Sequence, residues 1–124
     1  MDSNVILWSG LEPRKVSRVA RAFMEDPSTT LLISVVTPWE LAVKMNSGKL
    51  ELDDGLETFL EQQVAELDLE ELLVNRAHAL RTLDLPSVHR DPFDRMLVAQ
   101  ALVEGVPVIT NDVRFDGYGV TRIW

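Results

Sequence analysis

The 124-residue sequence contains no cysteine, which excludes a disulfide framework and any metal site built on thiolates. It has no apolar run long enough to span a bilayer and no basic-then-apolar signal pattern at its start. We therefore expect no membrane association and a cytoplasmic protein. With 46% hydrophobic residues the chain can form a core, and its length predicts one domain over residues 1–124.

Basic residues are scarce relative to acidic ones. Twelve lysines and arginines against 20 aspartates and glutamates give a formal net charge of −8 at pH 7. Because nucleic-acid phosphates usually meet a basic surface, this balance alone argues against nucleic-acid binding unless metal ions or a local basic patch compensate. The same excess of carboxylates fits a divalent-cation site, since hard cations prefer oxygen ligands.

Helical and strand-like segments alternate along the chain, a pattern that favours a parallel sheet with helices on both faces. Strands are predicted at residues 29–34, 69–74, 106–110 and 120–124. Helices are predicted after Asp2 and at residues 13–25, 37–47, 55–66, 75–82 and 92–104.

Four carboxylates lie at the ends of these predicted elements: Asp2, Glu40, Asp94 and Asp112. Each has a local structural explanation. Asp2 and Asp94 could cap helices or complement their dipoles, Glu40 could complete a capping box with Thr37, and Asp112 could stabilise a turn. In α/β sheets, however, residues past strand ends and at helix starts converge where ligands bind. Their joint order therefore favours one shared site.

The stretch that contains Asp94 starts a helix whose N-cap is predicted to be Asp91, with Pro92 at the first helical position. Two histidines, His78 and His89, are interpreted as structural.

Four segments resemble motifs of PIN-domain proteins of the VapC type, the toxin half of bacterial and archaeal toxin–antitoxin pairs. Residues 2–8 (DSNVILW) resemble the opening Asp-Thr-His-Val-Leu-Leu-Trp, and residues 34–44 (SVVTPWELAVK) resemble Ser…Trp-Glu-Ile-Ala-Ile-Lys. Residues 89–95 (HRDPFDR) are close to the signature of one VapC-like subgroup, and residues 110–115 (TNDVRF) resemble Thr-x-Asp-x-x-Phe. Together the segments cover essentially the whole chain.

The resemblance implies an α/β, PIN-like three-layer fold with a mostly parallel central sheet. It implies a ribonuclease that uses Mg²⁺, with Mn²⁺ as an alternative, a cognate antitoxin protein as partner, and a homodimer. The implied catalytic residues are Asp2, Glu40, Asp94 and Asp112, of which Asp2, Asp94 and Asp112 would be metal ligands. The implied substrate-binding residues are Ser3, Asn4, Arg90, Arg95 and Thr110.

The family usually has an apolar strand before its first aspartate, whereas here only Met1 precedes Asp2. We therefore expect a truncated first strand, which would leave backbone groups of both neighbouring strands unpaired.

Two other functions fit parts of the pattern. A degenerate PIN domain would bind RNA or protein without cutting, and a receiver-like or phosphatase-like domain would use an aspartate and Mg²⁺ for phosphoryl transfer. Trp8 and Trp39 could stack on bases, but we expect both to pack against the core or an interface.

Overall fold

A computed structural model describes residues 1–124 as a mixed α/β fold with parallel strands, which confirms the predicted fold class. Three short 3₁₀ turns lie at Pro13–Lys15, Thr82–Asp84 and Val113–Tyr118. The helices are α1 (Ser3–Leu11), α2 (Arg18–Glu25), α3 (Val36–Asn46), α4 (Leu56–Leu67), α5 (Arg76–Arg81) and α6 (Pro92–Glu104). The strands are β1 (Leu31–Ser34), β2 (Leu69–Leu72), β3 (Val108–Ile109) and β4 (Arg122–Ile123).

The strands form two parallel pairs, β1 with β2 and β3 with β4. The first two residues of the chain connect them. The Met1 ammonium donates a hydrogen bond to the Leu32 carbonyl at 3.0 Å, and the Asp2 N–H donates to the Ile109 carbonyl at 3.1 Å. Met1 and Asp2 thus link the two strand pairs through backbone hydrogen bonds.

An apolar cavity of about 230 Å³ lies beside Met1, and its walls include β1 and β3. Backbone groups of a parallel strand alternate between its two neighbours. The N–H groups of Val108 and Thr110 donate to the carbonyls of Thr121 and Ile123. The backbone groups of Ile109 therefore point the opposite way, toward the cavity. By the same alternation Leu32, whose carbonyl accepts from Met1, faces it from β1. The cavity is therefore bordered on two sides by strand backbone, whose Leu32 and Ile109 carbonyls accept hydrogen bonds from Met1 and Asp2.

We expect an engineered extension of three residues, Val-Leu-Val, before Met1 to raise the melting temperature by several degrees. Burying an aliphatic side chain is worth about 1.5–3 kcal/mol before the cost of ordering it, and 1 kcal/mol shifts the melting temperature of a domain this size by roughly 4 °C. A Gly-Ser-Gly extension is the matched control, because it also replaces the buried ammonium, whose pKa burial lowers to about 6, by an amide. Equal melting temperatures for both extensions, measured by circular dichroism, would contradict the prediction.

The core consists of two clusters that fix the helix starts near the sheet. One brings buried residues of α1, such as Val5 and Ile6, against Ile33 and Ile109. The other packs Val98 of α6 with neighbours that include the fully buried Phe115. None of the helices combines the length and the apolar character needed to cross a bilayer.

The helix predicted over residues 13–25 is wrong in its first half, where the 3₁₀ turn precedes a break. Ser17 causes the break, because its hydroxyl accepts a hydrogen bond from the Ala20 N–H at 3.1 Å and so caps α2 from Arg18.

Candidate metal centre

Three of the predicted carboxylates occupy the starts of helical segments, as their local sequence implies. Asp2 caps α1, with Oδ1 accepting from the Val5 N–H at 2.8 Å. Asp112 caps the turn at Val113–Tyr118 by accepting from the Arg114 N–H at 2.9 Å. Asp94 lies in the first turn of α6, whose actual cap is Asp91. Asp94 therefore has no capping role, and its carboxylate is left for the site.

Glu40 does not take part in the predicted capping box. The helix α3 begins at Val36, one residue before Thr37, and no side chain caps it. Instead Glu40 Oε1 accepts hydrogen bonds from the Ser3 hydroxyl at 2.8 Å and from the Lys44 ammonium at 2.7 Å. The Lys44 ammonium also reaches the Ser3 hydroxyl, at 3.3 Å. These contacts tie the start of α3 to the start of α1, beside Asp2.

The carboxyl group of Asp2 is buried, and burial raises its pKa. Hydrogen bonds from the Thr110 hydroxyl and the Val5 N–H act in the opposite direction, while the nearby charge of Glu40 raises the pKa further. Asp2 is thus held both by Thr110, directly after β3, and by its own helix.

Burial raises the pKa of Asp94 to about 6. His89 opposes this shift, whereas the negative charges of Asp91, Glu40 and Asp112 add to it. Because Glu40 acts on both Asp2 and Asp94, and Asp112 acts on Asp94, the four predicted carboxylates form one electrostatically coupled group.

Asp112 is the most strongly paired member of this group. Its Oδ2 accepts from Arg114 Nη2 at 2.6 Å, and Arg114 Nε lies 2.9 Å from Oδ1. His89 Nε2 also donates to Oδ2, at 2.8 Å. These contacts hold the pKa of Asp112 well below its usual range, Arg114 contributing most.

His89 is the functional candidate that sequence interpretation missed. It is buried, and its Nε2 lies 2.8 Å from Asp112 Oδ2 and 4.0 Å from Asp94 Oδ2. On its other side the Tyr118 hydroxyl lies 2.9 Å from Nδ1 and accepts from the His89 backbone N–H at 2.7 Å. The signals in the sequence are its position two residues before the helix cap Asp91 and its place at the start of the motif at residues 89–95. His78, by contrast, bonds Glu104 away from the site.

The predicted substrate-binding residues have different surroundings. Ser3 and Thr110 hydrogen-bond to site carboxylates, while Asn4 and Arg90 are exposed. The guanidinium of Arg95 donates to backbone carbonyls of the preceding loop: those of Pro86, Thr82 and Leu85, at 2.9, 2.9 and 3.3 Å. Arg95 therefore holds in place the loop that carries His89.

The donor set fits a hard divalent cation. Side-chain atoms of His89, Asp94 and Asp112 lie within 4.8 Å of one another. The negative charge of Glu40 acts on both Asp2 and Asp94. Clustered carboxylates repel, and the raised pKa of Asp94 reflects part of that repulsion. Oxygen ligands of this kind suit Mg²⁺ and Mn²⁺.

Comparison with known proteins agrees with the geometry. The family model described as "PIN domain" matches residues 1–120, so the chain belongs to the PIN domain family. The chain is also 29% identical over 119 residues to ribonuclease VapC22 of Mycobacterium tuberculosis (strain ATCC 25618 / H37Rv). That match covers 95% of this chain and 89% of the relative. Neither finding favours a receiver-like domain.

Proposed function

We propose that the chain is a metal-dependent endoribonuclease and the toxin component of a type II toxin–antitoxin pair, folded as one domain over residues 1–124. The observation that carries the proposal is the convergence of Asp94, Asp112 and His89 within 4.8 Å in a PIN-family fold, with Glu40 bonded to Ser3 beside Asp2. The similarity to a ribonuclease, VapC22, supports RNA as the substrate.

Asp2 and Asp94 are assigned as the direct ligands of Mg²⁺, or alternatively Mn²⁺, because neither carboxylate is neutralised by an ion pair with Lys or Arg. Asp112 would bind the cation directly or through a water molecule, because its Oδ2 already accepts hydrogen bonds from Arg114 and His89. A divalent cation bound at these carboxylates would polarise the scissile phosphate and lower the pKa of a water molecule.

Glu40 is assigned to orient the attacking water. Its Oε1 is fixed by the Ser3 hydroxyl and the Lys44 ammonium, which leaves Oε2 to accept a hydrogen bond from that water. Thr110 keeps Asp2 in position, and the exposed side chains of Asn4 and Arg90 are assigned to the RNA backbone. Arg95 contributes by holding the 82–90 loop.

The same proposal includes a cytoplasmic homodimer and an antitoxin that covers the site. An antitoxin segment that inhibits the enzyme would place a basic side chain among the carboxylates, since the group carries excess negative charge at neutral pH.

Cleavage of a panel of single-stranded and structured RNAs tests the proposal. We expect cutting with Mg²⁺ or Mn²⁺, none with EDTA, and a loss of several orders of magnitude in Asp94→Asn, because a ligand essential to the site is removed. Asp91→Asn is the matched control: it changes the same charge three residues earlier, and asparagine caps a helix as well as aspartate does.

Cutting that persists in EDTA and in Asp94→Asn would overturn the assignment. Equal loss in Asp91→Asn and Asp94→Asn would show that the helix start, not a ligand, is what the reaction needs. Binding of metal and RNA without any cutting would favour the non-catalytic PIN domain.

A further inference from the structure

Trp39 directly precedes Glu40, yet 63% of its surface is exposed. Of the two alternatives expected for Trp39, packing in the core is therefore wrong, and packing at an interface stays a prediction. Trp8 is packed as expected, against Trp124, with ring centroids 5.8 Å apart. An exposed indole forgoes the stabilisation that burying its large apolar surface would give. Its exposure beside a site carboxylate thus calls for an explanation other than folding.

Phe93 directly precedes Asp94 and packs edge-on to Trp39, with ring centroids 4.9 Å apart and planes at 83°. The two aromatic rings therefore join the starts of α3 and α6, where Glu40 and Asp94 lie. An edge-on neighbour restrains the indole without covering both of its faces. The result is an ordered, solvent-facing aromatic surface next to the carboxylate group.

Cations around the site contribute little free charge for attracting RNA. Lys44 is paired with Glu40 and Arg114 with Asp112, which leaves only the exposed Arg90 and the backbone-bonded Arg95 without a carboxylate partner. With a formal net charge of −8, the protein gains little from phosphate neutralisation, which normally dominates nucleic-acid affinity. Stacking of bases on aromatic rings is a further strong contact, and it needs no charge.

We propose that Trp39, supported by Phe93, is a stacking subsite for one unpaired nucleobase of single-stranded RNA adjacent to the scissile phosphate. This inference rests on the proposed ribonuclease function and names a subsite for it. Because every base has an aromatic face, the subsite selects for an unpaired base more than for its identity. Double-stranded RNA, whose bases are already stacked, would not occupy it.

Binding of a fluorescently labelled seven-nucleotide RNA in EDTA and low salt tests the subsite without cleavage. We expect Trp39→Ala to weaken binding about tenfold, the effect of one lost base stack, and Trp39→Phe to retain most of the affinity. RNA should quench the tryptophan fluorescence of the wild type and not that of Trp39→Ala. The same RNA with one base removed, in a series scanned along the oligonucleotide, should bind the wild type more weakly at one position and bind Trp39→Ala equally at all positions.

Leu11→Ala is the matched control for loss of an exposed apolar side chain, because Leu11 is 52% exposed and lies at the opposite end of α1 from Asp2. Unchanged RNA affinity and quenching in Trp39→Ala would overturn the subsite. If that variant instead shifts the sedimentation of the protein, Trp39 is a protein contact and the subsite is wrong.

The binding assay separates this proposal from the nuclease proposal. Tenfold weaker binding in Trp39→Ala, together with no metal-dependent cleavage by the wild type, would retain the subsite and overturn the enzyme. Metal-dependent cleavage by the wild type, together with unchanged RNA affinity in Trp39→Ala, would retain the enzyme and overturn the subsite. Absence of RNA binding by the wild type in EDTA would overturn the subsite, and the cleavage assay with metal would still decide the enzyme.

Discussion

Asp94→Asn is expected to raise the melting temperature of the metal-free protein at pH 7.5 and to abolish the stabilisation that Mn²⁺ gives the wild type. Burial raises the pKa of Asp94 to about 6 in the folded protein, from an ordinary value of 3.8. Ionising it at neutral pH therefore costs the folded state on the order of 3 kcal/mol, at 1.36 kcal/mol per pKa unit. The uncharged asparagine avoids this cost but cannot replace the carboxylate as a ligand.

The raised pKa of Asp94 makes the wild-type protein less stable as the pH rises. Because the folded pKa of Asp94 is raised, its favourable contribution is complete below about pH 4 and is lost as the pH rises through about 6. The stability difference between Asp94→Asn and the wild type should therefore be larger at pH 7.5 than at pH 5. The Met1 ammonium titrates in the same range but is common to both proteins, so the difference isolates Asp94.

Thermal melts with EDTA and with Mn²⁺ at the two pH values measure both effects, and Asp91→Asn serves as the control. Equal melting temperatures for Asp94→Asn and the wild type at both pH values, with equal shifts on adding Mn²⁺, would contradict the prediction. Ionised Asp94 would then neither destabilise the metal-free protein nor bind the metal.

His89→Leu is expected to weaken Mn²⁺ binding by about 10- to 100-fold, the usual cost of removing a residue that orients a metal ligand. His89 is bonded on one side to Asp112 and on the other to Tyr118, and its ring stacks on that of Tyr118 with planes at 5°. Without the imidazole, Arg114 alone would hold Asp112, at a position where the Arg114 side chain is 59% exposed. The Asp112 carboxylate would then be drawn away from Asp94.

The comparison with His89→Gln distinguishes orientation from packing. Glutamine can still donate a hydrogen bond to Asp112, so it should recover part of the Mn²⁺ affinity, whereas leucine fills a similar volume without a donor. Both variants should lose about 1–3 kcal/mol in urea unfolding, because the Tyr118 hydroxyl loses its imidazole partner. Manganese titrations followed by electron paramagnetic resonance give the affinities. Equal affinity in the wild type and His89→Leu would remove His89 from the site.

Local signals in the sequence predicted much of the fold. Helix caps at Asp2 and Asp91 are correct, because a capping side chain bonds to backbone only two or three residues away. The buried strand runs at β1 and β3 were also located, although β3 is shorter than predicted. The placement of Asp2, Asp94 and Asp112 at the starts of helical segments followed from the same local features.

Features that depend on distant contacts were not predictable in this way. Glu40 has the sequence context of a capping box, but its partner Ser3 is 37 residues away. His89 resembles any loop histidine until Tyr118 and Asp112 are placed around it. The exposure of Trp39 depends on what α3 does not pack against, which a single sequence does not encode locally.

The most direct test of the central claim is anomalous diffraction at the manganese edge from crystals grown with Mn²⁺. If the four carboxylates hold a divalent cation, an anomalous peak should lie within bonding distance of the Asp94 and Asp2 carboxylates, next to Glu40 and Asp112. A manganese peak elsewhere with none at these carboxylates, under conditions in which RNA is cleaved, would contradict the claim.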